Sequence, residues 1–175
     1  MDNVENIKNK LSQIEQEAWA TVGIIIRWDN DELETLVVKR AIAAGDPWSG
    51  DMAFPGGKKM VSDANLRETA KREVMEETGI DLSKAIFLGY FPEVLTSIKP
   101  GSTVLPQVYL YGGRPEISLN SELTRYYWVH LSTLITHRGI ALVKGKETQV
   151  FDLGEDKVWG LTYRMLNLIL NMLEH

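Results

Sequence analysis

The most constraining feature of this sequence is a helix stop set among strand-forming segments. Ser62 to Thr78 has helical character and ends at Gly79, the residue type that takes the left-handed position after a helix. Before it, Trp19 to Trp28 is built around Val22-Gly23-Ile24-Ile25-Ile26, a β-branched run suited to a buried strand. Asp29-Asn30-Asp31 supplies a turn, and Leu33 to Arg40 returns as the hairpin partner. A long loop, Ala41 to Asp51, leads to a short strand Met52-Ala53-Phe54 and the sequence Pro55-Gly56-Gly57.

After the helix, Ile86 to Phe91, Val104 to Tyr111 and Tyr126 to Val129 read as strands, with Ala141 to Val143 and Thr148 to Leu153 as weaker ones. Asn3 to Glu17 reads as an amphipathic helix with Val4, Ile7, Leu11 and Ile14 on one face, and Trp159 to Met172 as an apolar helix. Strands on both sides of a central helix, with another helix closing the chain, predict an α+β fold. Its architecture is an α/β/α sandwich around a mixed β-sheet. With 175 residues and no linker long enough to divide them, 1–175 is expected to form one domain.

Composition narrows the chemistry. The chain has no cysteine, which excludes a disulfide scaffold, a thiolate zinc site, an iron–sulfur cluster and a catalytic thiol. Its net charge of −5 argues against a nucleic-acid partner, which would call for a basic surface. No apolar run is long enough to span a membrane, and Met1 to Lys10 is unlike a secretory signal, so a cytoplasmic protein is expected. Leu173-Glu174-His175 looks like the start of an affinity-tag linker. The last helix carries more apolar residues than one face needs. It should meet either the sheet on two sides or a partner subunit in a homodimer.

The chemistry sits in the segment from Phe54 to Ile80. At about 100° per residue, Glu73 and Glu77 lie about 40° apart on the helix, with Glu76 about 60° to the other side of Glu73. Carboxylates gathered this way repel one another unless a cation sits among them, and hard oxygen ligands suit Mg²⁺ or Mn²⁺. Gly56-Gly57 lets the backbone approach closely enough for a carbonyl to join them. Arg72 can pair with Glu76 one turn on. Asp63 favours the start of the helix electrostatically. His130 and His137 have no ligand spacing and are expected to be structural or surface residues.

This combination resembles the signature of the Nudix hydrolases, Gly-x5-Glu-x7-Arg-Glu-U-x-Glu-Glu-x-Gly-U with U aliphatic. Arg72-Glu73-Val74-Met75-Glu76-Glu77-Thr78-Gly79-Ile80 matches its second half at every fixed position. The first half departs: counting back from Arg72 puts Lys58 at the glycine and Ala64 at the glutamate. Read from Gly57 with one inserted residue, Asp63 or Ala64 takes the glutamate's place. That insertion, with Arg40, Phe54-Pro55-Gly56-Gly57-Lys58 and Trp159-Gly160-Leu161-Thr162, is similar to the coenzyme A pyrophosphatase branch. The Leu-Arg pair of that branch is missing from the loop between Arg40 and Gly50.

The resemblance implies a metal-dependent hydrolase of a diphosphate linkage in a nucleoside diphosphate derivative, coenzyme A being one candidate. By the same analogy Glu73, Glu76, Glu77 and the Gly57 carbonyl hold Mg²⁺ or Mn²⁺, and Arg72 orients the glutamates. Either Glu73 or a carboxylate outside the helix activates the attacking water. Glu122, ahead of Trp128 on a late strand, fits a recurring family position; the alternatives are a loop carboxylate or a charge at the N-terminus of a short helix. Arg40 and Lys58 are candidate phosphate contacts, and Trp48 and Tyr90 could stack on a base or belong to the core. The rival readings are a non-catalytic nucleotide-sensing domain and an isomerase of the isopentenyl diphosphate type, whose catalytic cysteine this chain lacks.

Overall fold

The computed structural model describes residues 2–174. Met1 and the tag-like His175 lie outside the described residues. The chain runs α1 (Asp2–Asn9), β1 (Ala20–Asp29), β2 (Glu32–Arg40), β3 (Met52–Ala53), β4 (Gly56–Lys58) and α2 (Leu66–Thr78). It continues through β5 (Ile86–Tyr90), β6 (Leu95–Thr96), β7 (Thr103–Tyr111), β8 (Leu123–His130) and the one-turn α3 (Leu131–Leu134). A hairpin of β9 (Arg138–Val143) and β10 (Lys146–Asp152), then β11 (Lys157–Val158) and α4 (Gly160–Leu173), complete it.

The main sheet has the order β3-β2-β1-β7-β5, with β4 on β1, β6 on β7 and β8 on β2. It is mixed, because β1 and β7 run parallel while the other pairs are antiparallel. Alternation along β1 and β2 splits the core between the two faces. Ile24, Ile26 and Val37 pack with Ile7 of α1 and with Met165, Leu166 and Ile169 of α4. Ile25, Leu36 and Val38 pack with Ala70 and Val74 of α2 and with Tyr109. A period-2 strand with apolar residues on both faces needs a cover on each side, and the helices supply it.

Two helix boundaries differ from the sequence expectation. The first helix stops at Asn9 instead of running to Glu17. The chain beyond it is extended, and Ser12 bridges to Tyr90. Glu15 is drawn off any helix because it accepts hydrogen bonds from the Leu66 amide (2.9 Å) and the Tyr90 hydroxyl (2.8 Å). Tyr90 is therefore a core residue and not a stacking platform. The central helix starts at Leu66 rather than Ser62, since the Asn65 side chain accepts from the Glu68 amide and caps it. Its far end is as expected, with Gly79 at φ 74° donating to the Met75 carbonyl.

Gly56 and Gly57 form a strand rather than a loop, paired antiparallel with Val22 and Thr21. A Cβ on Gly56 would collide with the Thr21 carbonyl and would come within 2.6 Å of Val22 Cα. Around α4, most of the apolar residues meet the core, while Leu168 is exposed. The buried side chains of the helix join the core, and Leu161, Tyr163 and Leu173 pack against it half-buried.

Candidate active site

One cavity of about 660 Å³ is lined by Arg40, Trp48, Gly57, Lys58, Arg72, Glu73, Glu76, Glu77 and Glu122. Apart from Tyr90, the site residues expected from the sequence thus meet the same space, although they come from β2, the following loop, β4, α2 and the approach to β8. Trp19, Asp51, Ile98 and Trp159 line it as well. The sequence offered no signal for Trp19, Asp51 and Ile98 beyond residue type, whereas Trp159 opens the Trp159-Gly160-Leu161-Thr162 flank of the family resemblance.

The three helix carboxylates are not equivalent. Glu77 is 3% exposed, and its Oε2 accepts the Gly56 amide at 2.9 Å. Burial pushes its carboxyl up to about 8, aided by the neighbouring Glu73 and Glu122 and opposed by the Gly56 bond. Glu73 is also raised, first by burial and then by Glu76 and Glu122, while Arg72 acts against the shift. Glu76 has a side chain that is 56% exposed, with Arg72 3.6 Å away. A Cβ on Gly57 would lie 2.6 Å from the Glu73 carboxyl carbon, so only glycine leaves the carboxylate its place.

Arg72 is held by a residue to which the sequence had given a different part. Its Nε and Nη2 donate to the two Asp63 oxygens at 3.0 and 2.8 Å, and its Nη1 donates to Glu73 at 2.9 Å. Asp63 also accepts from the Met60 amide and the Thr69 hydroxyl. The Arg72 guanidinium and these donors hold the Asp63 carboxyl well below the usual carboxylate range, against its burial. Asp63 is therefore the anchor of Arg72 and not a charge for the helix end. In turn Arg72, raised chiefly by Asp63, positions Glu73.

The remaining expected contacts divide. Arg40 donates from Nη2 to Asp46 at 2.7 Å, while its buried Nε has no hydrogen-bond partner. Lys58 lies over the Trp19 ring at 4.6 Å. Trp48 is half-buried on the cavity wall. Glu122 is exposed in a loop before β8, which removes the short-helix alternative.

The three helix glutamates do not form a closed ligand set. Among the described residues, the group whose ligand atoms all lie within 4.8 Å of one another is Asp29, Glu34 and His130. His130, without ligand spacing in sequence, is carried there by the pairing of Glu34 with His130 across β2 and β8. Arg27 fills this group from inside: its Nη2 pairs with Glu34 and lies 3.6 Å from Asp29.

The fold and the cavity define a family, and comparison with known proteins agrees. Residues 18–147 match the NUDIX domain, and the chain belongs to the Nudix family. It is 31% identical over 129 residues to an uncharacterized Nudix hydrolase, NudL, of Yersinia enterocolitica, covering 65% of this chain and 61% of that protein. It is 28% identical over 134 residues to a mouse mitochondrial coenzyme A diphosphatase, covering 71% of this chain and 63% of that protein. The chain thus spans less than two thirds of the length of these curated relatives. Among solved structures, a MutT/nudix family protein from Enterococcus faecalis superposes with a TM-score of 0.57 at 18% identity. That match covers 94% of this chain and 66% of the other, and it shows the shared fold. No helix among the described residues is long and apolar enough to cross a membrane.

Proposed function

We propose that this chain is a divalent-metal-dependent hydrolase that cleaves a diphosphate linkage in a nucleoside diphosphate derivative, with coenzyme A-like compounds as first candidates. The observation that carries the reading is Glu77. A carboxyl this deeply buried, with Glu73 and Glu122 adding repulsion, is raised well out of its ordinary range, and a cation at the site would favour its ionised form. The donor set fits Mg²⁺ or Mn²⁺: all oxygens, one exposed carboxylate, and a glycine where any side chain would displace Glu73. Support for the substrate class comes from the family and from the named activity of the mouse relative.

Glu73, Glu76, Glu77 and the Gly57 carbonyl would hold the ion, which when bound makes a water more acidic and offsets charge on the diphosphate. The chain's own groups do the rest. Asp63 fixes Arg72, and Arg72 fixes the direction of the Glu73 carboxylate. The unpartnered Arg40 Nε is a ready donor to a phosphate oxygen on the cavity wall. Glu73 or Glu122 takes the proton from the attacking water. The water oxygen bonds to one phosphorus, the bond to the bridging oxygen breaks, and the other phosphate leaves with that oxygen.

The test is a substrate screen with Mg²⁺ and with Mn²⁺ over nucleoside triphosphates, ADP-ribose, NADH, dinucleotide polyphosphates and coenzyme A, with products identified. Metal-dependent cleavage at a diphosphate bridge is expected. Nucleotide binding without turnover at any metal concentration would replace this reading with a sensor domain.

A further inference from the structure

Residues 41–51 bring Trp48 to the cavity, and most of this loop's hydrogen bonds lie within it, among Ala41, Ala43, Asp46, Trp48, Ser49 and Asp51. Its stem is closed by the Arg40 amide to the Asp51 carbonyl (2.9 Å), and its interior by Arg40 and Asp46. Two contacts tie it to other parts of the molecule: the Ala41 amide donates to the Glu122 carbonyl at 2.8 Å, and a side chain reaches it from the β9–β10 turn. Lys144 Nζ donates to the Pro47 carbonyl at 3.0 Å and lies 3.6 Å from the Asp51 carboxylate. The same ammonium sits 4.9 Å over the Trp159 ring.

The turn itself marks Lys144 as unusual. Val143 pairs with Lys146, so Lys144 and Gly145 form a two-residue hairpin turn with φ 48° and 81°. Such turns favour glycine, which has no Cβ, or asparagine, whose short polar side chain bonds to the local backbone, whereas other side chains resist positive φ. Here the position carries a long cation whose head group reaches across to the loop. A lysine needed only for solubility would sit at lower conformational cost on Lys146, which is exposed on the same hairpin.

We propose that Lys144 is a positioning residue of the substrate site: it latches residues 41–51 to Trp159 and thereby sets Trp48 and Trp159 as the walls that receive the non-phosphate part of the substrate. Its kinetic consequence rests on the hydrolase reading; the latch itself does not. Lys144 touches no carboxylate of the α2 group, so its loss acts on binding and leaves the bond-breaking step alone.

The test uses the full chain and the variants K144A, K144R and, as a control, K146A. Hydrogen exchange of the amides in residues 40–51 is measured for each, together with kcat and KM for ADP-ribose and for coenzyme A with Mg²⁺. For K144A, exchange at Arg40 and Asp51 should rise by about fivefold, the scale of an exposed ion pair plus a ring contact. Its KM should rise by a similar factor with kcat within about twofold, while K144R should recover most of both and K146A should match the wild type. Unchanged exchange in K144A overturns the latch, and a fall in kcat with KM unchanged overturns the role of Lys144 in positioning the substrate walls. If the wild type cleaves neither compound with any metal, the hydrolase reading has failed instead, and the exchange result alone decides the latch.

Discussion

Two groups of carboxylates occupy this molecule, and they are compensated in opposite ways. On the hairpin of β1 and β2, Asp29, Glu32 and Glu34 surround His130, with Arg27 lying between Glu34 and the Trp128 ring. On the cavity, Glu73, Glu77 and Glu122 repel one another, and the cations that act on them, Arg72 and Arg40, are themselves paired with Asp63 and Asp46. The first group has the tighter ligand geometry but already contains its cations. The second is looser and short of positive charge. Close ligand atoms therefore do not by themselves mark the group that lacks a compensating cation, because burial and charge balance differ between the two groups.

The largest expected effect would break the hairpin group. Glu34→Ala leaves Arg27 buried without its main partner and should cost about 3–5 kcal/mol. Urea unfolding should show this, while kcat/KM per folded molecule stays within about twofold. A loss of activity at unchanged stability would move the functional assignment to this group.

Glu77→Gln acts the other way. It should lower metal-dependent turnover by at least about 10²-fold. Without metal its melting temperature at neutral pH should equal or exceed that of the wild type, because the amide keeps an acceptor for Gly56 and folds without the proton uptake that the buried carboxyl requires. Wild-type turnover in this variant would remove Glu77 from the site.

Gly57→Ala should be intermediate. Its Cβ would force Glu73 aside, with about 1–3 kcal/mol lost from stability or from transition-state binding together. An activity assay across Mg²⁺ concentrations separates the two: a higher metal requirement at near-normal melting temperature places the effect on the carboxylate.

The smallest effect is a pH dependence in the hairpin group. The hydrogen bond to Glu32, then Glu34 and Asp29, raises the His130 pKa against partial burial. A raised folded pKa contributes stability that is complete below the unfolded value of about 6.5 and is lost as pH rises through the folded value. His130→Gln should thus melt below the wild type at pH 5.5–6, with the gap narrowing towards pH 9. A gap independent of pH would show that His130 acts by packing alone.

Much of the fold was legible because it rests on local periodicity. The β-branched run of β1, the hairpin turn before β2, the Gly79 stop and the apolar closing helix all follow from neighbours in sequence. The departures share a cause. Glu15 leaves its helix because Leu66 and Tyr90 claim it, and Asp63 turns to Arg72 instead of the helix end. Gly56-Gly57 becomes a strand because β1 lies beside it. Each is a contact between segments distant in the chain, which outweighs a local preference of about 1 kcal/mol or less.

The sequence by itself determined the family resemblance, the helix that carries three glutamates, and the angles among them, since 3.6 residues per turn leaves those angles no freedom. It also excluded thiol chemistry outright. Only the tertiary structure decided which glutamate is buried, which cation each carboxylate meets, and that Lys144 reaches the loop of Trp48. Burial and charge compensation depend on what the rest of the chain packs around a residue, and that is set by sheet order, not by spacing along one helix.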